Sequence, residues 1–216
     1  MEKYRIVYED DFLFVIWKPA GIPVQSARAA VPDVMCLLRN TLLERGIRAP
    51  WLGLVNRLDQ PVEGIFLVAR EERAAAELSR QAGGHRDMEK RYQALVRGKL
   101  PEKKGVLVDY LQKDSRTNTS RVVSSGSKGA RRCELFYEVT EEREEESLLK
   151  IRLLTGRHHQ IRVQLAHAGV PIVGDRKYGK ADTDKRPLCL CACELAFIHP
   201  KTKEKMRFQV KPSFSG

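Results

Sequence analysis

The first seventy residues carry the apolar pattern of β-strands. The stretch YRIVYEDDFLFVIWKPAGIPVQ predicts two strands around an acidic turn. Its continuous apolar run from Phe12 to Trp17 indicates a strand that is buried on both faces. Pro19, Gly21 and Pro23 then interrupt regular structure. A second apolar run, Ile65 to Ala69, predicts another strand.

Two segments between and after these strands have the spacing of helices. Residues 33–45, DVMCLLRNTLLER, repeat apolar residues with a helical period, with Asp33 as the N-cap and Gly46 just beyond the end. The stretch EERAAAELSRQ is rich in strong helix formers, so it predicts a second helix.

A third helix is predicted from RHHQIRVQLAHAG. Its apolar residues Ile161, Leu165 and Ala168 fall on one helical stripe, and Gly169 closes the segment. This helix therefore needs one apolar partner surface.

The second half of the chain is otherwise dominated by strand patterns. KRYQALVRG alternates, with Tyr92, Ala94 and Val96 on one face. CELFYEVT and SLLKIRLL predict strands joined by the acidic turn EEREEE, and PLCLCACELAFIHP with KMRFQVKP predicts a closing hairpin. The polar, basic residues 115–132 predict a long loop or hairpin tip with little core of its own. Residues 1–216 thus predict one α+β domain whose mixed, mostly antiparallel central sheet is flanked by helices and loops.

Composition limits the class of protein. Of 216 residues, 42% are hydrophobic and 31% are charged, which suffices for a packed core. No apolar run approaches the roughly 18 residues of a membrane span, and the N-terminus lacks the order of a signal peptide. We therefore expect a cytoplasmic protein without a membrane partner. A net charge of +11 favours a polyanionic partner, of which nucleic acid is the commonest, although many basic proteins bind none.

Cysteines and histidines suggest metal binding only superficially. Five cysteines are an odd number, which argues against a disulfide framework. Cys189, Cys191 and Cys193 alternate along one strand face, whereas zinc sites favour paired cysteines separated by two to four residues. His158 and His159 are adjacent, so on a helix they would point about 100° apart. We expect buried cysteines and no metal.

Three motifs resemble those of the RluA-type RNA pseudouridine synthases. In order they are NRLDQPVEGIFLVAR, EKRYQALVRG and LLTGRHHQIRVQLAHAGVPIVGDRKYG. The opening YEDDFLFVIWKPAGIPV, with its Lys-Pro-x-Gly, also resembles that family, and the similarity runs from about residue 5 to residue 210. The resemblance implies a pseudouridine synthase-like fold, action on selected uridines in ribosomal or transfer RNA, a monomer and no cofactor. Because these motifs begin almost at Met1, we expect no separate N-terminal RNA-binding domain before the catalytic domain.

The resemblance also implies catalytic residues. Asp59 matches the essential aspartate, Arg162 its ion-pair partner, and Tyr92 a tyrosine that packs near the base and moves the C5 proton. Either attack on the sugar or proton removal requires an ionised carboxylate, and a guanidinium beside it would keep it ionised. Arg57 matches a residue linked to base flipping, which a uridine inside a helix requires. Without the resemblance, Arg57 and Asp59 would be read as an ordinary surface ion pair.

Contacts to RNA are expected from two sets of residues. The motifs imply a substrate-binding set consisting of Arg57, Arg157, His159, Gln160 and Lys177. Phosphate contacts are expected from basic residues of the polar loop and after the third helix, namely Arg116, Arg121, Lys128, Arg131, Arg132, Lys177 and Lys180.

Some positions depart from the family pattern. Asn56 stands where histidine is common, QPVEG replaces a usual Thr-Ser-Gly stretch, and His158 and Gln164 replace a frequent threonine and histidine. These departures motivate an alternative: a catalytically inactive RNA-binding or chaperone-like protein that retains the fold. A third reading, a metal-dependent nuclease using Asp59 and Asp175, lacks a tight acidic cluster.

Overall fold

The computed structural model describes residues 2–26, 31–83, 87–179 and 185–214, which form two compact units. Unit 1 comprises Met1–Lys90 and Ala192–Pro212, and unit 2 comprises Arg91–Cys191 and Ser213–Gly216. Lys180, one of the predicted phosphate contacts, lies outside the described residues.

Eleven strands and three helices are present in the described part of the chain. In order they are β1 (Arg5–Glu9), β2 (Leu13–Lys18), α1 (Val34–Glu44), β3 (Gly53–Leu54), β4 (Glu63–Ala69), α2 (Glu72–Gly83), β5 (Glu89–Arg97), β6 (Lys104–Asp114), β7 (Thr119–Val122), β8 (Arg131–Glu142), β9 (Glu146–Leu153), α3 (Gln160–His167), β10 (Leu190–Ile198) and β11 (Lys205–Gln209). The predicted α+β class is confirmed.

Unit 1 is built on a sheet whose central strands are wholly apolar. Its strand order is β1-β2-β4-β10-β11, with β3 paired to β4. The four residues Leu13–Ile16 are 0% exposed, and every residue of β4 is buried. Such strands are covered on both faces, as the run Phe12 to Trp17 predicts.

Helix α1 begins where the sequence predicts. The carboxylate of Asp33 accepts the amide hydrogens of Cys36, at 2.7 Å, and of Ser26, at 2.8 Å. Gly46, with φ +83°, follows the helix end in the left-handed conformation that glycine allows. The helix buries Val34, Met35, Leu38 and Leu42.

Unit 2 is an antiparallel sheet with one helix. Its strand order is β5-β9-β8-β6-β7, and each of these pairs is antiparallel. On β5, Tyr92, Ala94 and Val96 are all buried, as the alternation predicts, but Leu95 on the opposite face is buried as well. The strands β3, β6 and β7 have no counterpart among the predicted elements.

Of the two readings of residues 115–132, the hairpin tip is confirmed, because residues 119–122 pair with β6 to form β7 and close a hairpin with it. One detail of the prediction is wrong. Ala168 is not part of a buried stripe, because it is the exposed C-cap of α3. The helix instead buries six consecutive residues, 160–165, so it is covered all round rather than on one face.

The helices are short. Within the described ranges, none of the three is both long enough and apolar enough to cross a membrane.

Candidate active site

Asp59 lies at the start of a tight turn in unit 1. The amide hydrogen of Val62 bonds to the carbonyl oxygen of Asp59 at an N···O distance of 3.0 Å, which closes the turn. Leu58, between Arg57 and Asp59, is buried, whereas Arg57 is exposed and Asp59 is half-buried. The local sequence therefore anchors one apolar side chain and leaves a cation and a carboxylate on either side of it.

A buried lysine holds this turn. The side chain of Lys18, at the end of β2, is 0% exposed. Its ammonium group donates to the carbonyl oxygens of Pro19 and Gln60, each at 3.1 Å, and also to that of Val62. Two of these three acceptors belong to the Asp59 turn, so Lys18 fixes the backbone on which Asp59 sits.

The charge on Lys18 is costly in this position. Burial lowers its pKa from 10.5 to about 8, and the negative charges of Asp59 and Glu63 oppose that shift. Lys18 therefore places a buried positive charge near the carboxylates of Asp59 and Glu63, and the opposite charges attract each other.

The segment before Gly21 supports the turn from the other side. The amide of Gly21 donates to the carbonyl of Gln60 at 2.9 Å, and the side-chain amide of Gln60 donates to the carbonyl of Gly21 at 2.9 Å. Lys18 and Gly21 belong to the Lys-Pro-x-Gly stretch, so this motif holds the Asp59 turn through hydrogen bonds.

Asn56 has a structural task. Its side-chain oxygen accepts the amide hydrogen of Leu67 on β4 at 2.9 Å. This side-chain oxygen takes the place of a backbone acceptor just beyond the pairing of β3 with β4. Asn56, which departs from the family pattern, therefore ends this strand pairing.

In unit 2, Tyr92 and Arg162 lie on different elements. Tyr92 is on β5, opposite Ile151 of β9, and its side chain is 8% exposed. Arg162 lies in the first turn of α3 and is 4% exposed. A guanidinium this deeply buried requires a fixed anionic partner.

Asp175, which is 1% exposed, is an anionic partner of Arg162. Both carboxylate oxygens accept from Arg162, from Nε and from Nη2, each at 2.8 Å, in the bidentate geometry typical of such pairs. Burial would raise the pKa of Asp175, but the bonds from Arg162 and from the amides of Lys177 and Tyr178 lower it overall.

The residues just before α3 form a polar network. His159 has φ +54° and stacks on His158 with ring centroids 3.7 Å apart. Burial first, and then the positive charges of Arg162 and neighbours, lower the pKa of His159 to about 3, so the ring is neutral at physiological pH. The side chain of Gln160 accepts from the amide of Arg157 at 2.9 Å and from the hydroxyl of Thr155 at 2.8 Å, which ties the loop to the helix.

The predicted substrate-binding residues therefore divide by exposure. Arg57, Arg157 and Lys177 are exposed, whereas His159 and Gln160 are buried among protein partners. The exposed set suits phosphate contact, and the buried set suits holding the backbone before α3.

Unit 1 thus brings Arg57, Asp59 and Lys18 together, and unit 2 brings Arg162 together with Asp175 and His159. The ion pair between Asp59 and Arg162, and the role of Tyr92, stay predictions. Sequence reasoning missed what Lys18 and Asp175 do, although both lie inside the quoted motifs, because a motif does not show which partner a charge takes. In the portions of the chain that the structure describes, no three His, Cys, Asp or Glu side chains are grouped to hold a metal ion.

This fold is that of pseudouridine synthase domains. The human RNA Pseudouridylate Synthase Domain Containing 4 has a TM-score of 0.79 at 22% identity, covering 96% of this chain and 88% of that one. The human RNA Pseudouridylate Synthase Domain Containing 1 has a TM-score of 0.77 at 25% identity, covering 98% of this chain and 84% of that one.

The sequence comparison establishes the family. The family model described as RNA pseudouridylate synthase matches residues 12–167, and the chain belongs to this family. It is 36% identical to the ribosomal large subunit pseudouridine synthase C of Yersinia pestis over 211 residues, and 35% identical to that of Haemophilus influenzae over the same length. Each match covers 94% of this chain and 64% of the relative, so the chain spans less than two thirds of the length of these relatives. The RluA-type resemblance is confirmed.

Proposed function

We propose that this protein isomerises uridine to pseudouridine in RNA, and that its substrate is large-subunit ribosomal RNA. The observation that carries the proposal is the family membership over residues 12–167, which include the Asp59 turn. The substrate class rests on the relatives, which are named as ribosomal large subunit pseudouridine synthases. A net charge of +11 favours binding of the RNA polyanion and so supports the proposal.

The reaction breaks the bond between N1 of uracil and C1′ of ribose, turns the base, and joins C5 to C1′. The proton on C5 is lost to solvent, and N1 takes up a proton, so that substrate and product are isomers. Asp59 is the group that acts on the sugar, either by attack at C1′ or by removing a proton to give a glycal. Both routes need an ionised carboxylate in a defined position. The closed turn and the buried ammonium of Lys18 supply a rigid support and a balancing charge for it.

The remaining catalytic assignments are carried over from the family motifs. Tyr92 handles the proton at C5, and Arg162 is the charge partner of the reacting carboxylate. Arg57 is exposed beside the Asp59 turn, which suits a side chain that enters the stack when the uridine leaves it.

The decisive experiment uses ribosomal RNA whose uridines carry tritium at C5. Isomerisation releases tritium to water, so wild-type protein should release it and Asp59→Asn should not. The matched control is Asp87→Asn, an exposed carboxylate of the same unit that pairs with Arg80 at 3.5 Å. RNA affinity is measured for all three proteins and should be nearly equal. Tritium release by Asp59→Asn at the wild-type rate would refute the role of this carboxylate.

The same assay separates the competing readings. RNA binding by the wild-type protein without any tritium release would favour an inactive RNA-binding protein that retains the fold. Release from transfer RNA but not from ribosomal RNA would keep the reaction and overturn the substrate class. RNA cleavage that chelation abolishes would indicate a nuclease.

A further inference from the structure

The hairpin formed by β6 and β7 presents a basic surface in unit 2. Its paired residues are Leu111–Asp114 and Thr119–Val122, and the polypeptide turns between them at residues 115–118. The exposed cations of the hairpin and of the segment that follows it are Lys113, Arg116, Arg121, Lys128, Arg131 and Arg132. The pairing of β6 with β8 runs from Lys104 to Leu111, so the hairpin end extends beyond it and the direction of its cations depends on what else holds that end.

Three polar contacts hold it, and all come from residues next to α3 or from the turn after Asp175. The amide of Ser120 donates to the hydroxyl oxygen of Tyr178 at 2.9 Å. The hydroxyl of Ser120 lies 2.9 Å from Nδ1 of His158. The ammonium group of Lys177 donates to the carbonyl of Asn118 at 2.8 Å. Ser120 is 5% exposed, so this hairpin residue is buried against the hydroxyl of Tyr178 and the imidazole of His158.

Tyr178 also contacts the arginine and histidine of α3. Its hydroxyl oxygen lies 2.6 Å from Nδ1 of His159, and the guanidinium carbon of Arg162 lies 5.1 Å from its ring centroid. Its own amide donates to Asp175 at 3.1 Å, the same carboxylate that holds Arg162. One tyrosine therefore touches the hairpin with its hydroxyl and the buried ion pair with its ring.

We propose that Tyr178 is a positioning residue that fixes the basic β6–β7 hairpin to α3, and thereby sets how strongly the hairpin binds RNA phosphates. The proposal rests on the proposed function only in taking RNA as the partner.

The chemistry of the contact explains why a tyrosine is needed. The phenol oxygen accepts the Ser120 amide hydrogen, while its own hydrogen remains available to a neutral imidazole. Because the pKa of His159 is about 3, its ring stays neutral and can take part across the physiological range. The ring side of Tyr178 packs with Val122 against the small apolar cluster Leu111, Cys133 and Val163, so the residue is fixed on both sides.

Tyr178→Phe separates the two parts, because it removes the hydroxyl and keeps the ring over Arg162. The dissociation constant for a ribosomal RNA fragment should rise about fivefold, because the hydroxyl loses its contacts to the Ser120 amide and to His159. The rate of tritium release at saturating RNA should stay near that of the wild type. Tyr137→Phe, at a buried tyrosine on β8 of the same unit, is the matched control and should leave the dissociation constant unchanged.

A double-mutant cycle distinguishes positioning from a general structural role. Arg116→Gln removes an exposed cation at the hairpin turn and should weaken RNA binding in the wild-type background. If Tyr178 aims the hairpin, Arg116→Gln should cost less in the Tyr178→Phe background. Equal costs in both backgrounds, or no cost of Arg116→Gln in the wild type, would overturn the proposal.

Thermal unfolding of each variant is measured first. If Tyr178→Phe does not fold, the cycle is run with Ser120→Ala, which removes the hydroxyl contact to His158 but keeps the Ser120 amide bond to Tyr178. Arg116→Gln should again cost less in this background, by a smaller margin, and an equal cost would overturn the proposal. The double-mutant cycle is read from dissociation constants, so it remains valid even if the wild-type protein releases no tritium. That result would refute the proposed reaction without touching the positioning role.

Discussion

The ammonium group of Lys18 donates a hydrogen bond to the carbonyl oxygen of Gln60 at 3.1 Å, and Gln60 follows Asp59 directly in the chain. Lys18 is fully buried, and it also bonds to Val62, which closes the turn. A buried positive charge in unit 1 is therefore bonded to one short turn. Burying a cation costs free energy unless it has partners, and here the carbonyl oxygens of the turn are among those partners.

Lys18→Met should separate activity from stability. Methionine fills a similar volume and relieves the cost of a buried charge, but it leaves the carbonyl oxygens of Pro19, Gln60 and Val62 without the ammonium donor. Because these two effects oppose each other, we expect the free energy of unfolding to change by less than about 2 kcal/mol. The turn loses its donor, so the rate of tritium release should fall at least about tenfold. The control is Lys205→Met on β11, where the side chain is exposed. A Lys18→Met protein with wild-type activity would show that the turn needs no clamp.

The pH dependence of stability should report on the same residue. The pKa of Lys18 is about 8 in the folded protein against 10.5 in an unfolded chain, so the unfolded chain binds more protons between these values. The free energy of unfolding should therefore rise with pH from about 8 to about 10.5, by roughly 3 kcal/mol relative to Lys18→Met. Below pH 8 both states carry the charge and the difference should be constant. Urea unfolding of both proteins at pH 7, 9 and 10 measures it, and parallel curves would contradict the assignment.

Asp175→Asn should be strongly destabilising. It removes one partner of a bidentate pair in which Arg162 is 5% and Asp175 1% exposed at the side chain, and such losses cost about 3–5 kcal/mol. Glu134→Gln breaks the exposed pair with Arg132 in the same unit and should cost under about 1 kcal/mol. Chemical denaturation of the two variants gives the comparison. Equal losses would mean that the buried pair adds no more than a surface pair.

Gly64→Ala should also destabilise, for a different reason. Gly64 has φ +124°, and a Cβ there would lie 2.3 Å from the carbonyl oxygen of Ala192 on β10, which is backbone that cannot swing aside. We expect a loss of at least about 2 kcal/mol, and a lower melting temperature. Gly126→Ala is the control, because a Cβ at Gly126 meets nothing within 4 Å. Similar melting temperatures of the two variants would argue against the close approach.

Local sequence patterns predicted a large share of this fold. The run from Phe12 to Trp17 gave a strand buried on both faces, and Asp33 gave the start of a helix, because both signals depend on residues within a few positions. The composition of residues 115–132 left a loop and a hairpin tip as alternatives, because β7 is held by pairing with β6 and by Tyr178, and neither partner shows in that composition. The prediction that Ala168 lies on a buried stripe was wrong, because the spacing of apolar residues does not show how many sides of a helix the rest of the protein covers.

The candidate site divides in the same way. The motifs alone identify Asp59, Tyr92 and Arg162 as candidates, because a long, specific stretch of residue types is legible without coordinates. Only the tertiary structure decided that Lys18 grips the Asp59 turn, that Asp175 holds Arg162, and that Tyr178 joins the basic hairpin to α3. These partners are between 13 and 58 residues apart in sequence. Tertiary packing decides which charged groups pair, because each buried polar group needs a partner within reach. A short-range sequence pattern does not encode that choice.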